Sequence, residues 1–214
     1  MRMDRIAAAG AALIALAAPT AGCAEGPEAT PQAFPIVERT KTVDTTYANY
    51  NWNRIIPPDG PVVEEWSAEF HSGSLHRVET PRDRLIADCE NMTGVALSLE
   101  TGEKVSGPQV AGAACGINTN TPILSARVIG RVDRAGSVSD RIEVVDRDNV
   151  RIYDVTEDGV IVRATYASSE APERLILETW SVALERELPA ADMFSSESLR
   201  RSFVPDRFKR EPTE

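Results

Sequence analysis

The sequence predicts a mainly β fold, an antiparallel meander that forms a curved sheet or half-barrel with at most one or two helices. Apolar and polar residues alternate with a period of two through most of the chain after Val62, which is typical of half-buried strands. Turn motifs such as Asp158-Gly159 separate these runs. With 214 residues, 42% of them hydrophobic, the chain is sufficient for one domain with an ordinary core.

Residues 1–22 are organised as a bacterial export signal. Arg2 and Arg5 supply a basic start, and Ile6–Ala18 is an apolar run whose length suits a signal peptide and is too short to span a bilayer. Pro19 interrupts this run. We therefore expect the mature chain to be periplasmic.

Two routes of processing fit the end of this signal. Thr20-Ala21-Gly22-Cys23 resembles the lipobox of bacterial lipoproteins, although Thr20 stands where leucine is usual. By that route Cys23 is lipidated and anchors the protein, for example to the outer membrane. Ordinary cleavage after Ala24 fits as well, because Gly22 and Ala24 are both small.

The charge of the chain disfavours nucleic acid and anionic lipid headgroups as partners. The net charge is −10, and loss of Arg2, Arg5 and Asp4 with the leader removes one net positive charge, which leaves −11. Phosphate groups would be repelled by this charge. Contact with a membrane is therefore expected only through the N-terminal anchor.

The remaining chain is divided by composition. Residues 23–45, rich in proline, glutamate and threonine, are predicted to be a flexible tether. The β-rich domain is assigned to residues 46–203 and a charged, frayed tail to residues 204–214. Within the domain, residues 107–122 carry mostly small side chains and are predicted to be a loop or irregular strand. Glu173–Leu188 fits both a helix and a strand, and we favour the strand because antiparallel strands precede it.

The hairpin at residues 72–74 decides where the two histidines lie. A three-residue loop pairs Phe70 with His76 and places His71 on the opposite face from His76, where they cannot share a metal ion. A two-residue loop instead places the histidines opposite each other, but it also sets Phe70 against Arg77. We adopt the three-residue loop.

A three-stranded meander is predicted between Arg141 and Tyr166. Its turns are placed at Asp148-Asn149 and Asp158-Gly159. The two turns agree on the same cross-strand rows, which hold a sheet together. The rows are Ile142, Val155 and Val162, and then Val144, Tyr153 and Ala164.

Cys89 and Cys115 are predicted to form a disulfide. They are the pair that remains in an oxidising compartment once Cys23 is lipidated or removed. A bridge between these positions would stabilise the fold by about 3 kcal/mol. The alternatives, a metal pair or a nucleophile, have no histidine nearby in the sequence.

Motifs of known chemistry are not found. The sequence has no nucleophile elbow, P-loop, dinucleotide fingerprint or zinc-protease helix. Asp146, Asp148 and Asn149 are spaced as in a calcium loop, but the glycine and the distal glutamate of that motif are missing. The expectation is a protein that is not an enzyme and uses neither cofactor nor metal, although a hydrolase built on a carboxylate pair leaves no local signature.

Short motifs at both ends of the domain resemble the periplasmic carrier and sorting proteins of outer-membrane lipoproteins. The opening motif is Ala68-Glu69-Phe70, Ser72-Gly73-Ser74-Leu75, Pro81 and Arg84, and the closing one is Leu175-Ile176-Leu177-Glu178, Leu188-Pro189 and Phe194. The resemblance implies a half-open β-barrel with an apolar concave face that holds acyl chains. The family also has helices that plug the barrel, which are not predicted here before residue 170, and the Cys89–Cys115 pair is not part of its pattern.

Two main hypotheses of function follow. In the first, the chain is an envelope protein that binds a lipid, an acyl chain or an envelope partner on an apolar face. The predicted lining is Trp66, Phe70, Val95, Leu97, Val128 and Tyr153. In the second, these residues are ordinary core, and the chain is a structural or protein-interaction protein of the envelope.

Overall fold

The computed structural model describes residues 33–118, 120–134 and 137–212. The predicted export signal, Cys23 and the first part of the predicted tether lie outside them. Among the described residues, eleven strands form one antiparallel sheet in the order β6-β5-β4-β3-β2-β1-β11-β10-β9-β8-β7. The strands are β1 Tyr47–Ile55, β2 Val63–Ser72, β3 Leu75–Glu79, β4 Asp83–Asp88, β5 Thr93–Ser98, β6 Lys104–Ser106, β7 Ile123–Arg134, β8 Ser137–Asp146, β9 Asn149–Thr156, β10 Ile161–Ser168 and β11 Ala171–Glu185.

The predicted fold class is confirmed. The sheet is open, since its outermost strands β6 and β7 do not pair with each other. It consists of two meanders, β1 to β6 and β7 to β11, which join where β1 pairs with β11. The strand favoured for Glu173–Leu188 is also confirmed, as β11.

Two α-helices, α1 (Ala33–Arg39) and α2 (Pro108–Ala114), pack on the same side of the sheet, which we call the helix face. No helix among the described residues is long and apolar enough to cross a membrane.

Helix α1 contradicts the predicted tether over residues 33–39. Ala33, Ile36 and Val37 are buried against β7 to β10. Their spacing puts all three on one helical stripe, so the segment gains more by packing than by remaining extended. The tether was predicted from the composition of the segment, which does not reveal this stripe.

Helix α2 contradicts the predicted loop between residues 107 and 122. Pro108 lies in its first turn, where proline is tolerated, and alanine is the best helix former. Ala111 and Ala114 are buried against Ala87 of β4. Small side chains therefore allow close packing of a helix here, whereas from the sequence they were interpreted as a loop or irregular strand.

The opposite side of the sheet is covered by residues 193–208 and is called the tail face. This segment includes a short 3-10 helix, Ser196–Arg200. The predicted frayed tail is wrong over residues 204–208, because Val204 is buried and the Phe208 ring stacks on Tyr50 with centroids 4.0 Å apart.

The β2–β3 hairpin has the two-residue loop, so the adopted register was wrong by one residue. His71 pairs with His76, and Phe70 pairs with Arg77. Gly73 takes a positive φ of 60° in the loop, which glycine adopts without strain. The two histidines therefore lie side by side on the helix face.

The meander registers are confirmed in part. On the β9–β10 side Tyr153 pairs with Ala164 as predicted, but a bulge makes Ile161 rather than Val162 the partner of Val155. On the β8–β9 side Ile142 pairs with Tyr153, a shift of two residues from the prediction. A shift of two leaves every side chain on its predicted face.

That shift has a local cause. The Asp146 carboxylate accepts the backbone N–H groups of Asp148 and Asn149, each at 2.8 Å, and so starts the turn. Asp146 also pairs with Arg151 at 2.8 Å. Its oxygens thus have turn and ion-pair roles, which accounts for the residues that were spaced as in a calcium loop.

The predicted disulfide between Cys89 and Cys115 is present, with Cα atoms 5.5 Å apart. It joins the residue after β4 to the C-terminal end of α2. The bridge therefore fixes α2 on the helix face.

Candidate functional site

A cavity of about 220 Å³ lies on the helix face, between the areas that α1 and α2 cover. Helix α1 packs on β7 to β10 and α2 on β3 to β5, which leaves β1, β2 and β11 beneath the gap. The lining residues come from the sheet, from the end of α2 and from the segment that follows α1.

Two glycines let the segment after α1 close one end of this cavity. Gly116 and Gly159 both have positive φ, 74° and 91°. A Cβ atom on Gly116 would lie 2.5 Å from the carbonyl oxygen of Thr40, and one on Gly159 would lie 2.5 Å from that of Arg39. Backbones approach so closely here that only glycine fits.

Thr40 holds the same segment in place. Its hydroxyl donates to the Val37 carbonyl at 2.7 Å and accepts the backbone N–H of Ile117 at 3.0 Å. The end of α1 and the residues after α2 are therefore joined directly above the cavity.

The polar side of the cavity begins with the two histidines. The Tyr47 ring stacks on His71 with centroids 5.3 Å apart. His71 Nε2 lies 2.7 Å from the Val43 carbonyl oxygen, and His71 Nδ1 lies 3.4 Å from His76 Nδ1. Because a carbonyl can only accept, neutral His71 carries its proton on Nε2, and its Nδ1 accepts from His76 Nδ1.

This tautomer assignment leaves the lone pair of His76 on Nε2. Burial, with a smaller contribution from the neighbouring His71, lowers the pKa of His76 to about 3. Burial also lowers the pKa of His71, against the opposing effect of the backbone carbonyls of Val43 and Gly73. Both rings are therefore neutral at pH 7, and His76 offers an acceptor.

Glu69 lies two residues before His71 on the same face of β2, opposite Asn49 of β1 and Val78 of β3. Its carboxylate forms neither a hydrogen bond nor an ion pair with any residue that the structure describes. Burial raises the pKa of Glu69 to about 7. A carboxylate without a partner is costly in such a place.

The cations on the cavity wall are already paired elsewhere. Arg163 binds Glu178 at 2.6 Å, and Lys41 binds Glu38 at 2.7 Å. Neither therefore neutralises Glu69.

Part of the cavity lining is apolar. It is formed by Val78, the cross-strand neighbour of Glu69, and by Ile161, Val162 and Ala114. The hydroxyl groups of Tyr153 and Tyr166 bond to each other at 3.1 Å, so their polar ends are satisfied. The cavity is therefore amphipathic, because hydrogen-bond acceptors and aliphatic side chains share its lining.

The six residues predicted as a ligand lining are not brought together. Tyr153 lines the cavity, and Val128 lies on the helix face in the core beneath α1. The other four, Trp66, Phe70, Val95 and Leu97, lie on the tail face. Phe70 and Leu97 are fully buried there, because residues 193–208 cover them.

Glu69 and the histidine pair were missed as a site. The i, i+2 spacing of Glu69 and His71 already puts both on one face, and the rejected two-residue loop would have added His76. The cavity itself depends on how α1 and α2 are placed, which no local pattern shows.

Within the described residues, the cavity offers neither a serine or free-cysteine nucleophile nor a cluster of metal ligands. The lining within the described ranges includes no serine, and Cys89 and Cys115 are joined in the disulfide. Over the same ranges, no three His, Cys, Asp or Glu side chains are placed to hold a metal ion. The arrangement is suited to binding through hydrogen bonds and charge.

No family model matches the sequence, and no curated protein matches it. Solved structures do match. An uncharacterised conserved protein from Thermus thermophilus is 12% identical with a TM-score of 0.51, over 82% of this chain and 96% of that one. A LolA superfamily protein from Nitrosomonas europaea is 8% identical with a TM-score of 0.41, over 78% and 99%.

A putative outer membrane lipoprotein-sorting protein domain from Vibrio parahaemolyticus is 9% identical, with a TM-score of 0.40 over 79% of this chain and 99% of that one. The likeness to the Thermus protein shows a shared fold. The solved structures that match thus include proteins described as a LolA superfamily member and a lipoprotein-sorting domain.

Proposed function

We propose that this chain is an exported protein of the bacterial cell envelope that binds a small amphipathic molecule in the cavity of the helix face. The observation that carries the proposal is a Glu69 carboxylate without a partner among the described residues, in a cavity whose lining is partly apolar. Perturbed groups in clefts are concentrated at functional sites, and binding sites commonly sacrifice stability.

The size of the cavity narrows the expected ligand. Ligand pockets usually measure about 300–1,000 Å³, and this one is about 220 Å³. We therefore propose a molecule with a short apolar part that packs against Val78 and Val162, rather than a whole acyl chain. The motif resemblance to lipoprotein carriers supports an amphipathic ligand and a place in the envelope.

Binding rather than catalysis is the proposed activity. The acceptors on the cavity wall can hold a ligand, but the described lining offers no serine or free thiol to attack one. A hydrolase would require a nucleophile supplied by the ligand or by water.

The periplasmic location and the lipid anchor are tested together. Residues 1–45 fused to a reporter that is active only in the periplasm should give active reporter. Labelled palmitate should be incorporated into the wild type and lost in Cys23→Ser. An inactive fusion would contradict export, and absence of label would leave the soluble periplasmic form.

Cavity binding is tested by native mass spectrometry of protein purified from the periplasm without detergent. We expect a bound small molecule in the wild type. Ala113→Trp should remove it, because Ala113 is exposed at the wall of the cavity and a large ring would fill the space. Gln109→Trp, also exposed on α2 but outside the lining, is the matched control.

A wild type that carries no ligand, or equal ligand in both tryptophan variants, would contradict the proposal. The second candidate, a structural or protein-interaction role, would then be favoured. Its support is the outermost strand β7, where Leu124 is 68% exposed and Ile129 40%, since exposed apolar edge strands readily pair with other chains.

A further inference from the structure

We infer that the ligand carries a protonated amine, which the Glu69 carboxylate and the Nε2 atom of His76 hold on the polar side of the cavity. This inference deepens the proposed function and rests on it. Its basis is the inventory of donors, acceptors and charges around the cavity.

The polar side offers acceptors. Glu69 has two carboxylate oxygens without a partner among the described residues. His76 turns its Nδ1–H toward His71, so that its Nε2 keeps a lone pair. A primary ammonium group has three N–H donors and no acceptor, and it therefore complements this set. A carboxylate or phosphate head would face the like charge of Glu69.

The balance of charge points the same way. Arg163 and Lys41, the cations on the lining, are held by Glu178 and Glu38. A half-buried carboxylate next to neutral histidines is stabilised when a cation enters, and charge-assisted hydrogen bonds are about twice as strong as neutral ones. A protonated amine supplies both the positive charge and the N–H donors.

A metal ion fits less well than an organic cation. The described residues place no three metal-ligating side chains together. A cavity of about 220 Å³ also leaves most of its space unfilled around a bare ion, whereas an alkylammonium ion fills the apolar side with its chain. The Tyr47 ring beside His71 adds an aromatic surface that suits a cation.

Isothermal titration calorimetry with three probes of equal length tests the inference. At pH 8, hexylammonium should bind more tightly than hexanol, and hexanoate should bind most weakly. Glu69→Gln should weaken hexylammonium binding by about tenfold or more, which equals about 1.4 kcal/mol, and should leave hexanol within about threefold. Glu69→Asp, which keeps the charge, should retain part of the affinity.

The pH dependence supplies an independent readout. The affinity of the wild type for hexylammonium should rise by about tenfold from pH 6 to pH 8 as Glu69, with a pKa of about 7, loses its proton. The ionisable groups that line the cavity with Glu69 are Lys41, Tyr47, His71, His76, Tyr153, Arg163 and Tyr166. Burial lowers the pKa of both histidines and raises that of Tyr47 and Tyr153, so His76 and these two tyrosines should not change charge in that range.

The outcomes separate this inference from the proposed function. Equal binding of hexanol and hexylammonium, unchanged in Glu69→Gln, would overturn the amine and keep the cavity as a binding site. Binding of Zn²⁺ that displaces hexylammonium and is lost in both Glu69→Gln and His76→Ala would overturn it in favour of a metal. If no probe binds and the purified protein carries no small molecule, both the amine and the proposed function are wrong.

Discussion

Strands β2 and β3 carry ionisable groups on both faces of the sheet. The two faces differ in whether the protein provides hydrogen-bond and ion-pair partners for these groups. On the tail face Arg77 is fully buried and donates to Glu79 at 2.8 Å, to Ser198 Oγ at 2.9 Å and to the carbonyls of Met193 and Arg201 at 2.6 and 2.7 Å. On the helix face, Glu69 has no such partner among the described residues.

Glu79 completes the network of the tail face. Its oxygens pair with Arg77 and Arg84 and accept from the Ser202 hydroxyl and the Phe203 backbone N–H. Every member has several partners, and most partners belong to the C-terminal segment. A satisfied network of this kind holds a fold together.

The comparison separates structural charge from functional charge within one hairpin. Arg77 and Glu79 are fully buried, whereas Glu69 is half-buried. The two faces also differ in whether the protein supplies the partners. On the tail face it does so, and on the helix face it leaves acceptors around a cavity.

The largest expected effect on stability comes from breaking the buried network on the tail face. Arg77→Ala leaves Arg84 as the one cation paired with buried Glu79 among the described residues and removes the donors that hold Met193 and Ser198. We expect a loss of about 3–5 kcal/mol in the free energy of unfolding, measured by urea denaturation.

The control for this variant is Arg82→Ala. Arg82 is half-exposed and pairs with Glu65 at the surface, and such pairs contribute about 0–1 kcal/mol. Equal losses in the two variants would show that the buried network is not what fixes the tail.

Removal of the disulfide should loosen the helix face selectively. Cys89→Ser or Cys115→Ser should lower stability by about 2–4 kcal/mol. The loss should be concentrated in residues 107–122, because only α2 and its flanks depend on the bridge for their position on the sheet. Hydrogen exchange should therefore show faster exchange there and unchanged protection over residues 193–208.

Peptide mapping under non-reducing conditions is the companion measurement. It should recover the two cysteine peptides joined. Free alkylation of both thiols in the native, unreduced protein would contradict the bridge.

Glu69→Gln should change the free energy of unfolding by less than the variants above, and it should stabilise the protein rather than destabilise it. The folded-state pKa of Glu69, about 7, lies above the ordinary value of 4.5, so the folded protein binds the proton more tightly than the unfolded chain. The stability that protonated Glu69 contributes is present below about pH 4.5 and is lost as the pH rises through 7. Glutamine stays neutral.

The variant should therefore match the wild type near pH 4.5 and exceed it by about 1–3 kcal/mol at pH 8. Urea denaturation at both pH values measures the difference. The two histidines affect stability over a different pH range. Because their pKa values are lowered, they destabilise the fold as the pH falls below about 6.5. Glu69→Gln should leave this effect unchanged. A variant that is less stable than the wild type at pH 8 would assign Glu69 a structural role.

Most of the sheet, but little of the candidate site, could be predicted from the sequence. Alternation and turn residues predicted strands such as β9 and β10, and export together with an even cysteine pair predicted the disulfide. The β8–β9 register was missed by two residues because the Asp146 carboxylate, and not the Asp148-Asn149 pair, starts the turn.

The two helices and the cavity depend on tertiary packing. Helix α1 is short and is stabilised by burial of Ile36 and Val37 rather than by propensity. Without its position, and that of α2, no cavity could be anticipated beside Glu69. The choice of a three-residue rather than a two-residue hairpin loop led to the prediction that the histidines lie apart. In the structure His71 and His76 are in contact.

Thermal unfolding of the wild type and Glu69→Gln at pH 8, each with and without hexylammonium, tests the central claim most directly. The account predicts that the free variant melts at a higher temperature than the free wild type, and that hexylammonium raises the melting temperature of the wild type more than that of the variant. A free variant that melts at a lower temperature, with equal shifts of both proteins by hexylammonium, would contradict it.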